Sequence, residues 1–138
     1  MPVTLNHTIV HARDKKATAE FLTSIIGLPA HRELSHFTVV QVGETSLDLI
    51  QTDEPISSRH FAFLVSEAEF DDIFGRIQKR GLPFWADPFR KRPGEINRWD
   101  DGRGVYFDDP NGHLLEIITL PYGSGGLSAE HPNPLLGG

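Results

Sequence analysis

Leu5 to Val10 is rich in β-favouring residues and reads as a strand, with Leu5, His7 and Ile9 alternating against Thr8 and Val10 on the opposite face. The spacing then lengthens. Between Lys15 and Ile26, the residues Ala19, Leu22, Ile25 and Ile26 fall near one face of a helix, with Asp14 at its N-cap and Gly27 at its C-terminal turn. Leu28-Pro29 forbids continuation. Phe37 to Val42 and Thr45 to Gln51 read as a hairpin around Gly43-Glu44. The same grammar returns further on. His60 to Val65 reads as a strand, Ser66 followed by Glu69 carries a capping-box signature, and Phe70, Ile73, Phe74 and Ile77 supply a helical stripe that Gly81 closes. Gly104 to Phe107 and His113 to Thr119 form a second hairpin, turned by Asp109-Pro110-Asn111-Gly112.

The triplets Gly27-Leu28-Pro29 and Gly81-Leu82-Pro83 are identical and 54 residues apart, so the chain reads as one unit written twice: strand, helix, then two or three strands. A sheet covered on one face cannot bury itself alone, and the halves are expected to pair. The predicted class is α+β, with a first module over about 1–53 and a second over about 57–122 making one domain of residues 1–122. The second half is longer between Phe84 and Gly104, where Trp85, Arg90, Arg92, Arg98, Trp99 and Arg103 follow no period. This reads as a long loop, packed by its own aromatics or turned toward a substrate. Residues 123–138 are rich in Gly and Pro and read as a poorly ordered tail without chemistry.

With 138 residues, 38% of them hydrophobic and 23% charged, the chain can build a single-domain core. No apolar run approaches the ~18 residues of a membrane span and no signal core opens the chain, so a soluble, cytoplasmic protein without a membrane partner is expected. The lack of cysteine excludes disulfides, thiolate zinc sites, iron–sulfur ligation and a cysteine nucleophile, leaving His, Asp and Glu as metal ligands. A formal net charge of -6 argues against nonspecific nucleic-acid binding and leaves a small molecule as the expected partner.

Strand alternation puts His7 on one face with Leu5, Ile9 and His11, and His60 with Ala62 and Leu64. On the closing strands Asp48 lies with Ser46 and Ile50, and Glu116 with Leu114 and Ile118. A carboxylate inside Leu-Leu-Glu-Ile-Ile is costly to bury without positive charge nearby. In the duplicated alignment His7 corresponds to His60 and Asp48 to Glu116, so four ligand-type residues occupy two equivalent positions. Imidazole nitrogen with carboxylate oxygen suits one divalent ion among Fe, Mn, Ni, Co and Zn. His11 is expected at the surface or beside the ligands, and His31, His36, His113 and His131 are expected to be exposed.

Two segments then carry a resemblance: Leu5-Asn6-His7-Thr8-Ile9-Val10, and Gly102-Arg103-Gly104-Val105-Tyr106-Phe107-Asp108-Asp109-Pro110-Asn111-Gly112-His113-Leu114-Leu115-Glu116-Ile117. Over about residues 1 to 122 the chain resembles the vicinal oxygen chelate superfamily of glyoxalase I, extradiol dioxygenases, and fosfomycin- and bleomycin-resistance proteins. The resemblance implies two paired βαβββ modules forming an open cup-shaped β-barrel around a divalent ion held by His7, His60 and Glu116. It implies Asp48 as a fourth ligand or a base, and sets Tyr106 where the extradiol signature has its tyrosine. The histidine which that signature expects before this strand is replaced by Asn97, Arg98 and Trp99. The function implied is a metal-dependent lyase, isomerase or dioxygenase of glyoxalase or dioxygenase type, acting on vicinal oxygens. Arg103, Arg98 and Trp99 are the expected substrate-binding residues, with Arg90 and Arg92 as further cations. The alternative is a metal-free drug-sequestering protein of bleomycin-resistance type. A homodimer is expected, its modules paired within a chain or exchanged between chains.

Overall fold

The computed structural model describes residues 2–137. It divides into two compact units, the first made of residues up to Ser58 with the turn Asp109–Gly112, the second of Arg59–Asp108 and the residues from His113 onward. Each unit contains the expected strand–helix–three-strand run, and the class is α+β.

In the first unit the order is β1 (His7–Ala12), α1 (Lys15–Ile26), β2 (Arg32–Leu34), β3 (Phe37–Val42) and β4 (Thr45–Gln51). The sheet order is β1-β4-β3-β2, with β1 parallel to β4 and the other neighbours antiparallel. The opening strand starts two residues later than the alternation predicts, because its ladder with β4 runs from His7 opposite Ser46 to Ala12 opposite Gln51. Helix α1 has the predicted bounds. Asp14 Oδ1 accepts the Ala17 N–H at 3.0 Å, and Gly27 supplies the left-handed φ of 82° that ends the helix. The helix buries Thr18, Ala19, Leu22, Ile25 and Ile26. In the sheet, Val10, Ala12, Leu47 and Leu49 are buried, and the opposite face is left to His7, Ile9 and Asp48.

The second unit repeats the pattern with β5 (His60–Leu64), α2 (Glu67–Lys79), β6 (Phe84–Trp85), β7 (Gly104–Asp108) and β8 (Leu114–Ile118), in the sheet order β5-β8-β7-β6. Strand β8 is hydrogen-bonded on both sides, parallel to β5 and antiparallel to β7. Ser66 and Glu69 form the full capping box: the Ser66 hydroxyl accepts the Glu69 N–H at 3.1 Å, and Glu69 Oε1 accepts the Ser66 N–H at 2.8 Å. These bonds hold the Glu69 carboxyl below its usual range. Phe70, Ile73 and Ile77 are buried as the stripe predicts, each worth roughly 1.5–3 kcal/mol. Phe74 is half-buried and meets Phe84 edge-on at 5.0 Å.

The two triplets end their helices in related ways. Leu28 N–H donates to the Thr23 carbonyl at 3.0 Å and Leu82 N–H to the Ile77 carbonyl at 3.1 Å, both bonds spanning the Gly with positive φ. Among the described residues no helix is long and apolar enough to cross a membrane. Ser66→Ala removes one half of the capping box and is expected to cost about 1 kcal/mol, read as a lowered Tm in thermal denaturation.

Candidate metal centre

Glu116 lies in the middle of β8, opposite Ala62 of β5 and Tyr106 of β7. It is fully buried. Its Oε1 stands 3.1 Å from His60 Nε2, and its Oε2 is buried with no hydrogen-bond partner. His60 is turned by its other nitrogen: Nδ1 lies 3.0 Å from the Leu114 carbonyl, which can only accept, so Nδ1 carries the proton. In a neutral ring Nε2 therefore faces Oε1 as one acceptor facing another. A proton or a cation must lie between them. Burial pushes the Glu116 carboxyl above its usual range, opposed by the nearby Tyr106 hydroxyl and His60.

Aromatic side chains pack beside this pair, whose histidine is partly open to solvent. The Tyr106 ring stacks on His60 at 5.9 Å with a 25° interplanar angle, and its hydroxyl lies 2.5 Å from that of Tyr122. Trp99 sets its edge against both tyrosines, at 6.1 and 6.5 Å. Burial, the Tyr122 contact and the Glu116 charge all push the Tyr106 phenol far above its ordinary value. Tyr122 was not among the residues singled out from the sequence, since it follows the last strand within a Gly-rich run.

The first unit carries the equivalent positions. His7 pairs with Ser46, two residues before the Ile9–Asp48 pair, as His60 pairs with Leu114 two residues before Ala62–Glu116. The expected equivalence of His7 with His60 and Asp48 with Glu116 thus appears in the strand register. His7 is exposed, and its Nδ1 lies 2.7 Å from Asn6 Oδ1, an oxygen that takes the ring proton there and leaves Nε2 with a lone pair. Asp48 is half-buried and accepts the Ser46 hydroxyl at 2.8 Å. Both line a cavity of about 420 Å³ with Asn6, Arg32, Phe37 and Val39. Among the described residues no group of three His, Asp or Glu side chains gathers within either unit.

Residues 4–117 match the family described as the Glyoxalase/Bleomycin resistance protein/Dioxygenase superfamily. The chain belongs to that superfamily. Among solved structures of this fold it is similar to Oxidase ChaP-H2, 57% identical with a TM-score of 0.88 over 91% of this chain and 100% of that one. Oxidase ChaP-H1 is 56% identical with a TM-score of 0.87 over 89% and 100% of the two chains. A Metallothiol transferase FosB from Shouchella clausii is 38% identical over 63 residues, which are 46% of this chain and 39% of that protein.

Other residues singled out from the sequence have contacts of their own. Arg103, expected to bind substrate at the site mouth, pairs with Glu67 at 2.6 Å and Asp71 at 2.9 Å, and its guanidinium lies 4.3 Å over the Phe70 ring. It fastens α2 to the start of β7. Arg90 pairs with Asp108 and Arg92 with Glu95, both in solvent-exposed ion pairs. Arg98 is exposed. Asn97 is buried, donates to the Ala86 carbonyl at 2.9 Å and accepts the Trp99 N–H at 3.2 Å, which fixes the loop carrying Trp99. His113, expected to be exposed, is buried: its Nδ1 accepts the Arg59 N–H at 3.0 Å and the Phe61 ring meets it edge-on at 6.1 Å. His31 is half-buried near Glu20. Arg103→Ala is expected to cost about 1–2 kcal/mol through the lost ion pairs and ring contact, with bound metal unchanged. Denaturant unfolding together with elemental analysis of the variant checks both halves.

Proposed function

We propose that this chain is a divalent-metal-dependent oxidoreductase of the dioxygenase side of its superfamily, acting on a small substrate that presents two neighbouring oxygens. The observation that carries the reading is the buried Glu116 carboxylate, with one oxygen facing a histidine lone pair and the other without a partner. A negative charge desolvated in this way costs several kcal/mol unless a positive charge lies beside it. The donor set fits a divalent ion. The donor set that the superfamily resemblance implies, His60 and Glu116 with His7, would hold it. When bound, the ion supplies Lewis acidity toward the substrate oxygens.

The chain's own residues then divide the remaining tasks. Asp48 Oδ1 is engaged by Ser46, so Oδ2 is left to take a proton from a substrate hydroxyl. The Tyr106 phenol, held protonated by its burial, is a hydrogen-bond donor rather than a base. Trp99 offers an aromatic wall beside it. The likeness to two oxidases at more than half identity supports oxygen chemistry over hemithioacetal isomerisation, with dioxygen as the co-substrate. The likeness to a metallothiol transferase supports the metal.

Protein purified anaerobically is expected to take up one ion per chain from Fe, Mn, Co, Ni or Zn, and His60→Ala, Glu116→Ala and His7→Ala variants are expected to lose it. Oxygen uptake with a catechol probe and an absence of hemithioacetal turnover would support the oxidoreductase assignment; the reverse pattern would replace it with a glyoxalase. Metal-free, inert protein after addition of all five ions would favour drug sequestration. With metal chelated, Glu116→Gln is expected to raise Tm, because the amide can donate to His60 Nε2 where the carboxylate cannot.

A further inference from the structure

Tyr122 and the residues after it up to 133, of which those from 123 onward were expected from composition to form a loose tail, are bound tightly to the short turn at Trp99–Asp101. Asp100 is 3% exposed and uses both carboxylate oxygens on this segment: Oδ2 accepts the Gly123 N–H at 3.0 Å and Oδ1 the Gly125 N–H at 3.3 Å. Its own N–H donates to the His131 carbonyl at 2.7 Å. Asp101 accepts the Glu130 N–H at 3.0 Å and the His131 N–H at 2.7 Å, and these bonds hold its carboxyl below the usual range. Both aspartates sit at positive φ, 60° and 63°, a strained conformation for non-glycine residues that persists only where the surroundings impose it. Gly125 passes so close that a Cβ there would fall 2.8 Å from the Ala129 Cβ and 3.3 Å from the Asp100 Cα.

Apolar burial does not explain this effort. Leu127 is 77% exposed and Tyr122 is 45% exposed, so the large apolar side chains of the segment are open to solvent. What the segment sends inward is the buried Asn133 side chain and the Tyr122 hydroxyl, the latter onto Tyr106, which stacks on His60 and pairs across the ladder from Glu116. Trp99, adjoining the two aspartates, touches both tyrosines.

We infer that the C-terminal segment is a working part of the His60–Glu116 centre, with Tyr122 as a positioning residue for Tyr106 and Asp100 and Asp101 as the anchor that holds it there. The Tyr122 hydroxyl restricts the Tyr106 O–H, and the segment shields the carboxylate from water. What Tyr106 is positioned for rests on the metal-centre reading above; the anchoring itself does not.

The test uses the full chain with Trp85→Phe, which leaves Trp99 as its one tryptophan. Asp101→Ala and Asp100→Asn are expected to raise hydrogen exchange at Gly123, Gly125 and Glu130 roughly tenfold or more. They are also expected to shift Trp99 emission to the red. Tyr122→Phe keeps the ring and the amide protection, which guards against misfolding of the anchor variants. It is expected to change the absorption bands of added Co(II) and weaken its binding about 10-fold, as loss of a group supporting a ligand does. Freed amides with Trp99 emission unchanged would overturn the inference, as would wild-type Co(II) bands and affinity in Tyr122→Phe. If the parent chain binds no Co(II), the metal reading fails; Trp99 emission in the anchor variants then decides the inference alone, a red shift sustaining it and an unchanged spectrum sinking it.

Discussion

A carboxylate with no solvent exposure and one oxygen left without a hydrogen bond is the constraint on which the second unit is organised. Such a group persists only where the backbone around it cannot give way. Strand β8 meets this condition because it is laddered on both sides, to β5 and to β7, so Glu116 cannot swing out without breaking the sheet. Its two ladder neighbours also differ in size. The small Ala62 lies on one side and the Tyr106 ring on the other, and His60 reaches in from two residues earlier on β5.

The parts of this arrangement that were legible in the sequence are those set by local rules. Asp14, Ser66 and Glu69 announce the helix starts through the spacing of their own hydrogen bonds, and the two Gly-Leu-Pro triplets mark the ends. The His-to-acid offset in each half is carried by strand period alone, which is why the register reproduces it. Strands β2 and β6, with three and two residues, are too short to display a period.

Other residues escaped because their partners are backbone groups or distant helices. The Asp100 and Asp101 carboxylates bond to main-chain N–H groups, and any residue type would present those. A Gly/Pro-rich composition therefore looked like a loose end. His113 is buried where the Arg59 backbone and the Phe61 ring meet it, neither of which its place after the turn announces. Arg103 follows the turn before β7, where proximity in sequence favours a role at the cup, yet Glu67 and Asp71 on α2 offer it charges on the helix-covered side.

The register symmetry between the halves also bears on how duplication divides labour. Two carboxylates one methylene apart in length occupy matched rungs, yet one is sealed within its sheet and the other shares a roomy, wettable hollow with a serine. Copying a single half-site would have produced twins. On the reading proposed above, the longer acid in dry surroundings suits steady attachment, and the shorter one beside an open hollow suits exchange of protons with whatever enters.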